Sequence, residues 1–368
     1  MIYTCTPNCS LIRMKAVSLF SGCGGDTLGL ERAGFEVVAF SEFNKASIAT
    51  HLQNFPNSEH IVDPTSKSSD ITKISNEVFQ KYKNTIDIIF AGFPCQGFSR
   101  AGKKNKEDPR NQMFHQFVRA TSQIKPRFII GENVTGLASM KSGPNEDDPL
   151  MLDIIRQSFR QIGYDLTYKV LEGVDYGVPQ KRKRILIVGW DTVRVVFDPA
   201  AFWASVATFG ATKLMPVQRS FVKASLNGAL LLTPNLVPDG FETYALPVPN
   251  SAVVEGTPHP FVTLKANERL LSCSKRDSPI HSEIINLDAP SKTIICTYDH
   301  QPRLLVGLRK PNGHCYVRTL HPDELKQIQG FPADFIVTGN VKEQITQIGN
   351  AVPPALVESV PSTLKTFL

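Results

Sequence analysis

One cysteine stands where a nucleophile could be presented to a substrate. Asp87–Ala91 has the composition of a buried strand, and it is followed by Gly92-Phe93-Pro94-Cys95-Gln96-Gly97-Phe98-Ser99. Pro94 restricts the backbone beside Cys95, and a glycine-containing loop comes after it. Thiolate is the reactive form of cysteine, and nearby cations or a helix dipole would lower the pKa of Cys95. A buried core thiol, the alternative, fits poorly with so polar a segment. We therefore predict covalent catalysis by Cys95.

A second segment has the composition of a nucleotide-binding turn. Ser18-Leu19-Phe20-Ser21-Gly22-Cys23-Gly24-Gly25 follows the first predicted strand and opens a helix, whose N-terminus offers free N–H groups. Glu42 ends the second strand, where an acid can bind ribose hydroxyls. Asp70 and Ile71 lie where a third strand could end, ready to meet an adenine edge and face. Each acid alone could be a surface carboxylate or a helix cap, but together these residues predict a nucleoside pocket.

The charge distribution suits a polyanionic partner. The formal net charge is +6, and two runs of cations adjoin the segments that carry chemistry. Arg100, Lys103, Lys104 and Lys106 form the first run, and Lys181–Arg184 form the second. A run of charges is usually just a solvated face. The position of these two runs favours phosphate contacts instead.

Composition excludes several classes of protein. The 368 residues are 42% hydrophobic and 20% charged, as in globular proteins with room for two domains. No apolar run approaches the roughly 20 residues that span a bilayer, and the first residues lack the features of a secretory signal. The seven cysteines are dispersed and form no C-x-x-C pair, so neither a disulfide framework nor a metal site is expected. An intracellular protein with no membrane partner is predicted.

Short β-branched runs alternate with helix-length amphipathic segments through the first half of the chain. Strands are predicted at Lys15–Phe20, Glu36–Ser41, Asp87–Ala91, Arg127–Gly131 and Arg184–Trp190. Helices are predicted at Gly25–Ala33, Lys45–Asn54, Ile74–Lys83, Met113–Ile124 and Pro149–Ile162, the last with Asp148 as its N-cap. This alternation predicts an α/β fold with a mostly parallel, doubly wound sheet that binds ligands at the carboxyl ends of its strands.

The second half of the chain has a different pattern. From Asp191 to about Val317 it is rich in proline and weakly periodic, which predicts short strands and long loops. A short helix, Pro322–Gln329, is stopped by Gly330, and a turn at 349–354 precedes a final helix from about Ala355. We therefore divide the chain into an extension (1–13), a domain of residues 14–190 completed by 340–368, a smaller domain (191–317) and a connecting segment (318–339).

Four short motifs, in this order, resemble the signature motifs of the cytosine-5 DNA methyltransferase family, in its prokaryotic or viral form: Gly92–Ser99 with Cys95, Glu132-Asn133-Val134, Gln180–Arg184 and Gly349–Pro354. Phe20–Gly25 is similar to the family's cofactor motif, and Arg318–Pro332 to the block before its last motif. Cys23 replaces a common aliphatic residue, and Ser18 replaces an acid. The resemblance implies a Rossmann-like class I methyltransferase fold with a smaller, irregular target-recognition domain.

The resemblance also implies a reaction, in which a methyl group passes from S-adenosyl-L-methionine to carbon 5 of cytosine and S-adenosyl-L-homocysteine is left. Carbon 5 is too electron-poor to react unaided, whereas addition of the Cys95 thiolate at carbon 6 makes it nucleophilic. Negative charge then develops on ring nitrogen 3, where Glu132 is the implied acid. Arg184 would hold the exocyclic oxygen, and Arg182 would support the site. The target base must first flip out of double-stranded DNA.

The family's binding residues carry over to matching positions in this chain. The implied cofactor contacts come from the strand ends and the last motif: Phe20, Gly22, Cys23, Gly24, Gly25, Glu42, Phe43, Asp70, Ile71, Pro94, Met113, Asn350, Ala351 and Val352. The implied DNA contacts come from the loop after Cys95 and from a Thr-aliphatic pair in the recognition domain: Gln96, Ser99, Arg100, Lys103, Lys104 and Thr293. A monomer is expected, with a cognate restriction endonuclease as a candidate partner.

Two other functions compete with this interpretation. A transfer RNA cytosine methyltransferase would share the fold and the core motifs, but that subfamily typically carries a Cys-Phe-Thr tripeptide that does not occur in this chain. A catalytically inactive DNA-binding module would usually have lost its nucleophile or its cofactor glycines. Cys95, Glu132, Arg184 and Gly22 are all present.

Overall fold

The computed structural model describes residues 14–94, 113–143, 145–259, 264–267, 270–273, 283–300 and 302–368, with the two four-residue stretches as backbone alone. Its strands are β1 (Lys15–Leu19), β2 (Glu36–Ser41), β3 (Glu59–His60), β4 (Ile88–Ala91), β5 (Phe128–Asn133), β6 (Tyr164–Glu172), β7 (Gln180–Lys181), β8 (Lys183–Asp191), β9 (Leu230–Leu231), β10 (Leu246–Pro247), β11 (Leu264–Asn267), β12 (Leu270–Cys273), β13 (Glu283–Ile284), β14 (Ser291–Lys292), β15 (Leu304–Arg309) and β16 (Cys315–Thr319). Its α-helices are α1 (Gly25–Arg32), α2 (Lys45–Asn54), α3 (Asn76–Gln80), α4 (Phe114–Ile124), α5 (Met151–Arg160), α6 (Pro199–Ala211), α7 (Phe241–Tyr244), α8 (Pro322–Ile328), α9 (Val341–Asn350) and α10 (Pro354–Leu364).

Seven strands form the main sheet, in the order β3-β2-β1-β4-β5-β8-β6. The first five run parallel to their neighbours, whereas β8 runs antiparallel to both β5 and β6. The sheet is therefore mostly parallel, which confirms the predicted α/β fold. In parallel strands the carboxyl ends share one edge, so the residues after β1, β2, β4 and β5 meet there.

Both faces of this sheet are covered by helices. One face buries Ile89 and Ile129 together with apolar residues of α3, α4 and α5. The other buries Phe90 and Leu186 together with residues of α1, α6 and α10. Because the central strands are buried on both sides, they consist almost entirely of apolar residues, which is why they were predictable.

A smaller sheet lies in the second half of the chain, in the order β10-β15-β16-β9 with β13 beside β15. It has its own core, which includes Leu304, Val306 and Leu308. At its edge, the Arg318 guanidinium lies 2.7 Å from the Glu324 carboxylate, and both side chains are almost fully buried. This ion pair fixes the smaller sheet to α8, because a buried charge without its partner is costly.

The structure corrects three local predictions in the first half. The helix after residue 148 begins at Met151 with Leu150 as N-cap, and the Asp148 carboxylate instead accepts a hydrogen bond from the Asn145 N–H. The third strand is β3, ten residues before Asp70, so no strand ends at Asp70. Strand β6 was not predicted, because as an edge strand it carries polar residues and lacks a clean alternation.

Helix α7 and two longer helices in the second half were also missed. Helix α6 has Asp198 as N-cap and Pro199 at its first turn, and its residues Phe202 and Val206 pack into the core of the main sheet. Helix α9 begins with a capping box between Asn340 and Glu343. Both start signals were readable in the sequence. In the described part of the chain, no helix combines the length and apolarity needed to cross a membrane.

Candidate active site

The turn between β1 and α1 leaves backbone open for a ligand. Phe20 and Gly22 have φ angles of 57° and 55°, in the left-handed region that favours glycine. A Cβ atom added at Gly22 would meet nothing within 4 Å. This open face lies at the carboxyl end of β1, where ligands of doubly wound sheets bind.

Behind that open face the turn is closely packed. Cys23 is buried and its thiol contacts the Gln347 carbonyl oxygen, while burial raises the pKa of the thiol to about 12. A Cβ atom at Gly24 would overlap the Phe55 ring. At Gly25 it would overlap the Val352 carbonyl oxygen. The first, and not the last, glycine of the turn therefore faces free space.

The contact at Gly25 brings the segment Gly349–Val352 back to the first strand–helix unit. In this segment Asn350 is exposed, Ala351 is half-buried and Val352 is buried. Helix α9 ends at Asn350, and α10 begins at Pro354. The two prolines at 353 and 354 cannot continue the preceding helix, so the chain turns here and passes beside the glycine loop.

Glu42 ties the end of β2 to the glycine loop. One carboxylate oxygen accepts the Gly22 N–H at 2.9 Å, and the other accepts the N–H groups of Phe43 and Asn44. A carboxylate with three backbone donors is fixed in orientation and still has lone pairs to offer. The Phe43 side chain beside it is 71% exposed, a large apolar ring left uncovered at the rim of the predicted pocket.

Asp70 and Ile71 lie at a short 3₁₀ turn. The Asp70 carboxylate accepts hydrogen bonds from the N–H and hydroxyl of Thr72, and Ile71 is buried. Asp63 holds the loop that carries them, since its carboxylate accepts bonds from Thr65, Ser66 and Ser75. These bonds hold the pKa of the Asp63 carboxyl well below its usual range. Sequence reasoning missed Asp63, although Asp-Pro-Thr-Ser is a recognisable turn sequence.

Asp26 stabilises the glycine loop through buried hydrogen bonds. Its carboxylate accepts hydrogen bonds from the hydroxyls of Ser18 and Ser21, and the side chain is 4% exposed. The family motif has an acid where this chain has Ser18. Here the acid is Asp26, in the first turn of α1, and the Ser18 hydroxyl donates a hydrogen bond to it. Burial raises the pKa of Asp26 to about 6, against the opposing effect of these hydrogen bonds.

Replacing Asp26 with asparagine should change how stability depends on pH. Because the folded-state pKa lies above the ordinary value of 3.8, ionisation of Asp26 costs stability, and that cost accumulates as the pH rises from about 4 to above 6. A rise in pKa from 3.8 to about 6 corresponds to roughly 3 kcal/mol. We expect the free energy of unfolding of Asp26→Asn, relative to the wild type, to increase by up to that amount between pH 4 and pH 7.5.

Urea titrations of both proteins across this pH range would measure the difference, and the other titrating groups cancel because they are common to both. A difference that is constant with pH would contradict a raised Asp26 pKa.

The strand ends β4 and β5 bring the second half of the site together. The position of a Cβ atom on Gly92 lies 3.7 Å from a Glu132 carboxylate oxygen and 3.8 Å from the Phe20 carbonyl oxygen. The Asn133 side-chain amide donates to the Phe93 carbonyl oxygen at 3.1 Å. Gly92 and Phe93 lead through Pro94 toward Cys95, the predicted nucleophile, so the chain approaches that residue beside both Glu132 and the glycine turn.

Cys95 lies outside the described residues, as do Gln96, Ser99, Arg100, Lys103 and Lys104. The residues that border this part of the chain are described. Pro94 is half-buried at the carboxyl end of β4. Met113 is the N-cap of α4 and packs against the main core.

Glu132 and Arg184 form an ion pair at the sheet edge. Arg184 Nε lies 2.8 Å from a Glu132 carboxylate oxygen, with side-chain exposures of 14% and 11%. They come from the neighbouring antiparallel strands β5 and β8. Burial raises the pKa of Glu132, while the positive charges of Arg184 and Arg182 oppose that rise. The result is a carboxyl that can hold or share a proton nearer to neutral pH than an exposed glutamate can.

The Arg182 side chain is buried among backbone carbonyls, whereas a residue that acts directly on a substrate would face the open site. Its side chain is 1% exposed, and its guanidinium donates to the carbonyl oxygens of Ile294, Gly349 and Ala351. Burial and the neighbouring Arg184 lower its pKa. In a regular strand, alternate residues such as Arg182 and Arg184 would point to the same side, but the break between β7 and β8 comes at Arg182. The Arg182 guanidinium therefore connects backbone carbonyls of two other segments, and its predicted role in supporting the site stays a prediction.

Thr293 lies against the same part of the chain. Its hydroxyl donates to the Lys181 carbonyl oxygen at 2.8 Å, and its side chain is half-buried. The short strands β14 and β7 run parallel here and pair Ser291 with Gln180. The Thr-Ile pair is thus attached to the segment that leads to Arg184. Among the described residues, no group of three or more His, Cys, Asp or Glu side chains is arranged so that it could hold a metal ion.

A comparison with protein families decides the class of this protein. The family model described as C-5 cytosine-specific DNA methylase matches residues 14–205 and 267–366, which is most of the chain. The chain belongs to the C-5 cytosine-specific DNA methylase family. This DNA cytosine-5 methyltransferase is thereby placed among enzymes, as the motif order predicted, and the resemblance stated from the sequence is confirmed.

Curated relatives cover nearly the whole chain. Type II methyltransferase M1.HphI of Haemophilus parahaemolyticus is 29% identical over 94% of this chain and 84% of its own length. Type II methyltransferase M.NgoPII of Neisseria gonorrhoeae is 29% identical, with 96% of each chain covered. Type II methyltransferase M.Eco47II of Escherichia coli is 30% identical over 92% of this chain and 75% of its own length. These names associate the family members with restriction–modification.

Solved structures support the fold. A DNA modification methyltransferase encoded within a prophage (E. coli) superposes with a TM-score of 0.62 at 23% identity, covering 96% of this chain and 99% of its own. The S. pombe Dnmt2 methyltransferase superposes with a TM-score of 0.62 at 14% identity over the same shares. At such identities the likeness concerns the fold alone, and it agrees with the class I methyltransferase architecture.

Proposed function

We propose that this methyltransferase uses S-adenosyl-L-methionine and acts through a covalent adduct between Cys95 and a flipped-out cytosine in double-stranded DNA. One observation carries the proposal: a buried acid–guanidinium pair, Glu132 and Arg184, lies at the point where the chain enters the Cys95 loop. Acid, cation and nucleophile are what addition to a cytosine ring requires.

The residues around the glycine turn fit the cofactor. Gly22 leaves room for a ligand, the Glu42 carboxylate is oriented beside it, and the Phe43 ring is exposed. Glu42 would bind ribose hydroxyls, while Asp70 would meet the edge of the adenine and Ile71 its face. The exposed Phe43 ring would add an apolar contact to the cofactor. Bound S-adenosyl-L-methionine supplies the methyl group. The other residues that were assigned to the cofactor, among them Cys23 and Val352, would shape the pocket through their backbone.

The chain's own residues account for activation of the base. The Cys95 thiolate forms a bond to carbon 6, and the electron pair displaced from the ring's double bond is stabilised as Glu132 places a proton at nitrogen 3. Arg184 donates to the exocyclic oxygen and balances the charge of Glu132. After methylation the carbon 5 proton passes to water, the Cys95–carbon 6 bond breaks and releases the thiolate, and nitrogen 3 returns its proton to Glu132.

Recognition of the DNA is assigned to the smaller domain, predicted over residues 191–317. Its first helix, α6, packs on the main sheet, so we assign base contacts to the loops that follow, including Thr293. Gln96, Ser99, Arg100, Lys103 and Lys104 would contact the DNA around the flipped base. We propose that the enzyme is a monomer, and the Type II names of the relatives support a restriction endonuclease of the same specificity as its partner.

Bisulfite sequencing tests this function and finds the target site at once. Plasmid DNA from a host without cytosine methyltransferases should carry protected cytosines within one short sequence once this protein is expressed. Plasmid from cells that express Glu132→Gln is the control and should carry almost none. Protection of RNA cytosines with unmodified plasmid would instead favour the transfer RNA alternative.

A further inference from the structure

A buried polar joint connects the recognition segment to the cofactor segment. We define the joint as Gln180, Arg182 and Gln329, which are all almost fully buried. On one side of it lies the segment Ser291–Cys296, which contains Thr293. On the other lies Gly349–Val352, which passes beside the glycine turn.

Arg182 bridges the two segments directly. Its Nη1 donates to the Ile294 carbonyl oxygen, and its Nη2 donates to the carbonyl oxygens of Gly349 and Ala351, each at 2.9 Å. Moving either segment away would leave a buried guanidinium without an acceptor, which is strongly unfavourable. The two segments are therefore held at one fixed separation.

The two glutamines repeat the connection. The Gln180 side chain accepts the Ile294 N–H at 2.9 Å and donates to the Gln329 side chain at 2.6 Å. Gln329 in turn donates to the Ala351 carbonyl oxygen at 2.6 Å. A second route from the recognition segment to the cofactor segment thus runs through side chains that have no contact with solvent.

The two segments also touch without side chains between them. A Cβ atom at Gly349 would overlap the backbone of Cys296. On its far side, the same segment contacts Gly25 through the Val352 carbonyl oxygen. Close-packed backbone therefore connects the glycine turn to the residues around Thr293.

We propose that Arg182 is a positioning residue that couples cofactor binding to DNA recognition. The proposal rests on the proposed function, since it takes 291–296 as part of the DNA-reading surface. An occupied cofactor pocket fixes Gly349–Val352, and the joint then fixes the recognition segment in its DNA-binding position. Thermodynamic linkage requires the reverse effect to be equal, so cognate DNA must tighten cofactor binding by the same factor.

The test measures that factor in both directions, with S-adenosyl-L-homocysteine as the probe. Fluorescence anisotropy gives the Kd of a duplex carrying the bisulfite-mapped site with and without the probe, and calorimetry gives the Kd of the probe with and without the duplex. In the wild type we expect the same factor twice, of about 5 or more. In Arg182→Lys the factor should fall toward 1, because an ammonium group lacks the planar fork that serves three carbonyls.

Two further variants make the result specific. Gly349→Ala leaves the guanidinium in place and separates the segments sterically, so it should also lose the factor and serves if Arg182→Lys does not fold. Arg194→Gln is the matched control: Arg194 donates to the Lys125 and Pro126 carbonyl oxygens at the opposite edge of the main sheet, and its loss should leave the factor unchanged.

A wild-type factor of 1, or an unchanged factor in both joint variants, would overturn the inference, as would an equal loss in Arg194→Gln. Wild-type methylation of plasmid cytosines is scored separately. If the wild type methylates plasmid DNA but the joint variants leave the coupling factor unchanged, only the proposed role of the joint is rejected. Absence of methylation rejects the proposed function itself.

Discussion

Replacing Cys95 with serine is expected to reduce methyl transfer by about 10⁴-fold or more, the scale on which loss of a covalent nucleophile acts. At neutral pH a serine hydroxyl forms its anion far less readily than a thiol does, so addition to carbon 6 would fail. The proposed cofactor pocket is formed by other elements: the glycine turn, the end of β2 and the segment Gly349–Val352. Binding of S-adenosyl-L-homocysteine should therefore stay within about twofold of the wild type, well under the 1.4 kcal/mol of a tenfold change.

Transfer of labelled methyl groups to plasmid DNA, with calorimetry for the cofactor product, measures both quantities. Cys315→Ser is the matched control, because that thiol lies in the smaller sheet, where it contacts the Gly313 carbonyl oxygen. It should retain activity. If Cys95→Ser stays folded but no longer binds the cofactor product, Cys95 is a structural residue of the pocket.

Replacing Glu132 with glutamine is expected to lower the methylation rate by about 10²–10⁴-fold, the range for loss of a general acid. Glutamine keeps the shape of glutamate and can still accept a bond from Arg184, but it cannot deliver a proton to ring nitrogen 3. Burial raises the pKa of Glu132, and the acid form is the one that acts. The wild-type rate should therefore fall as the pH rises through that raised pKa, and this alkaline decline should be absent in the variant.

Single-turnover rates on a cognate duplex between pH 5.5 and 9 would show both effects. Glu172→Gln is a matched control at the same end of the sheet, since Glu172 pairs with Lys183, 3.4 Å apart, whereas Glu132 pairs with Arg184. Its pH profile should match the wild type. An alkaline decline of equal size in Glu132→Gln would assign the titration to another group.

The catalytic half of the fold was predictable because it depends on local signals. Central strands such as β4 and β5 are apolar up to their ends, and residues predicted to carry the chemistry, such as Glu132, stand at those ends. Glu42 and Glu132 could be assigned from their positions at strand ends, since parallel strands share one edge. The resemblance to a family then supplied the roles.

Other features depend on contacts between distant parts of the chain and leave little trace in sequence. Nothing near Arg182 indicates that its acceptors lie at 294, 349 and 351, because these carbonyls carry no side-chain signature. Asp26 was read as part of a helix, although its partners Ser18 and Ser21 lie across the glycine turn. Helix α6 was missed because its exposed face consists mostly of alanine, which gives little contrast in polarity with the buried Phe202, Trp203 and Val206.

The central claim is that Cys95 bonds to carbon 6 of the target cytosine. The most direct measurement uses a duplex with 5-fluorocytosine at the mapped site, incubated with the enzyme and S-adenosyl-L-methionine. Fluorine at carbon 5 cannot leave as a proton, so the reaction should stop at a complex that survives denaturation, and peptide mapping should place the DNA on Cys95. Normal turnover on this duplex, with no denaturation-resistant complex, would contradict the covalent mechanism.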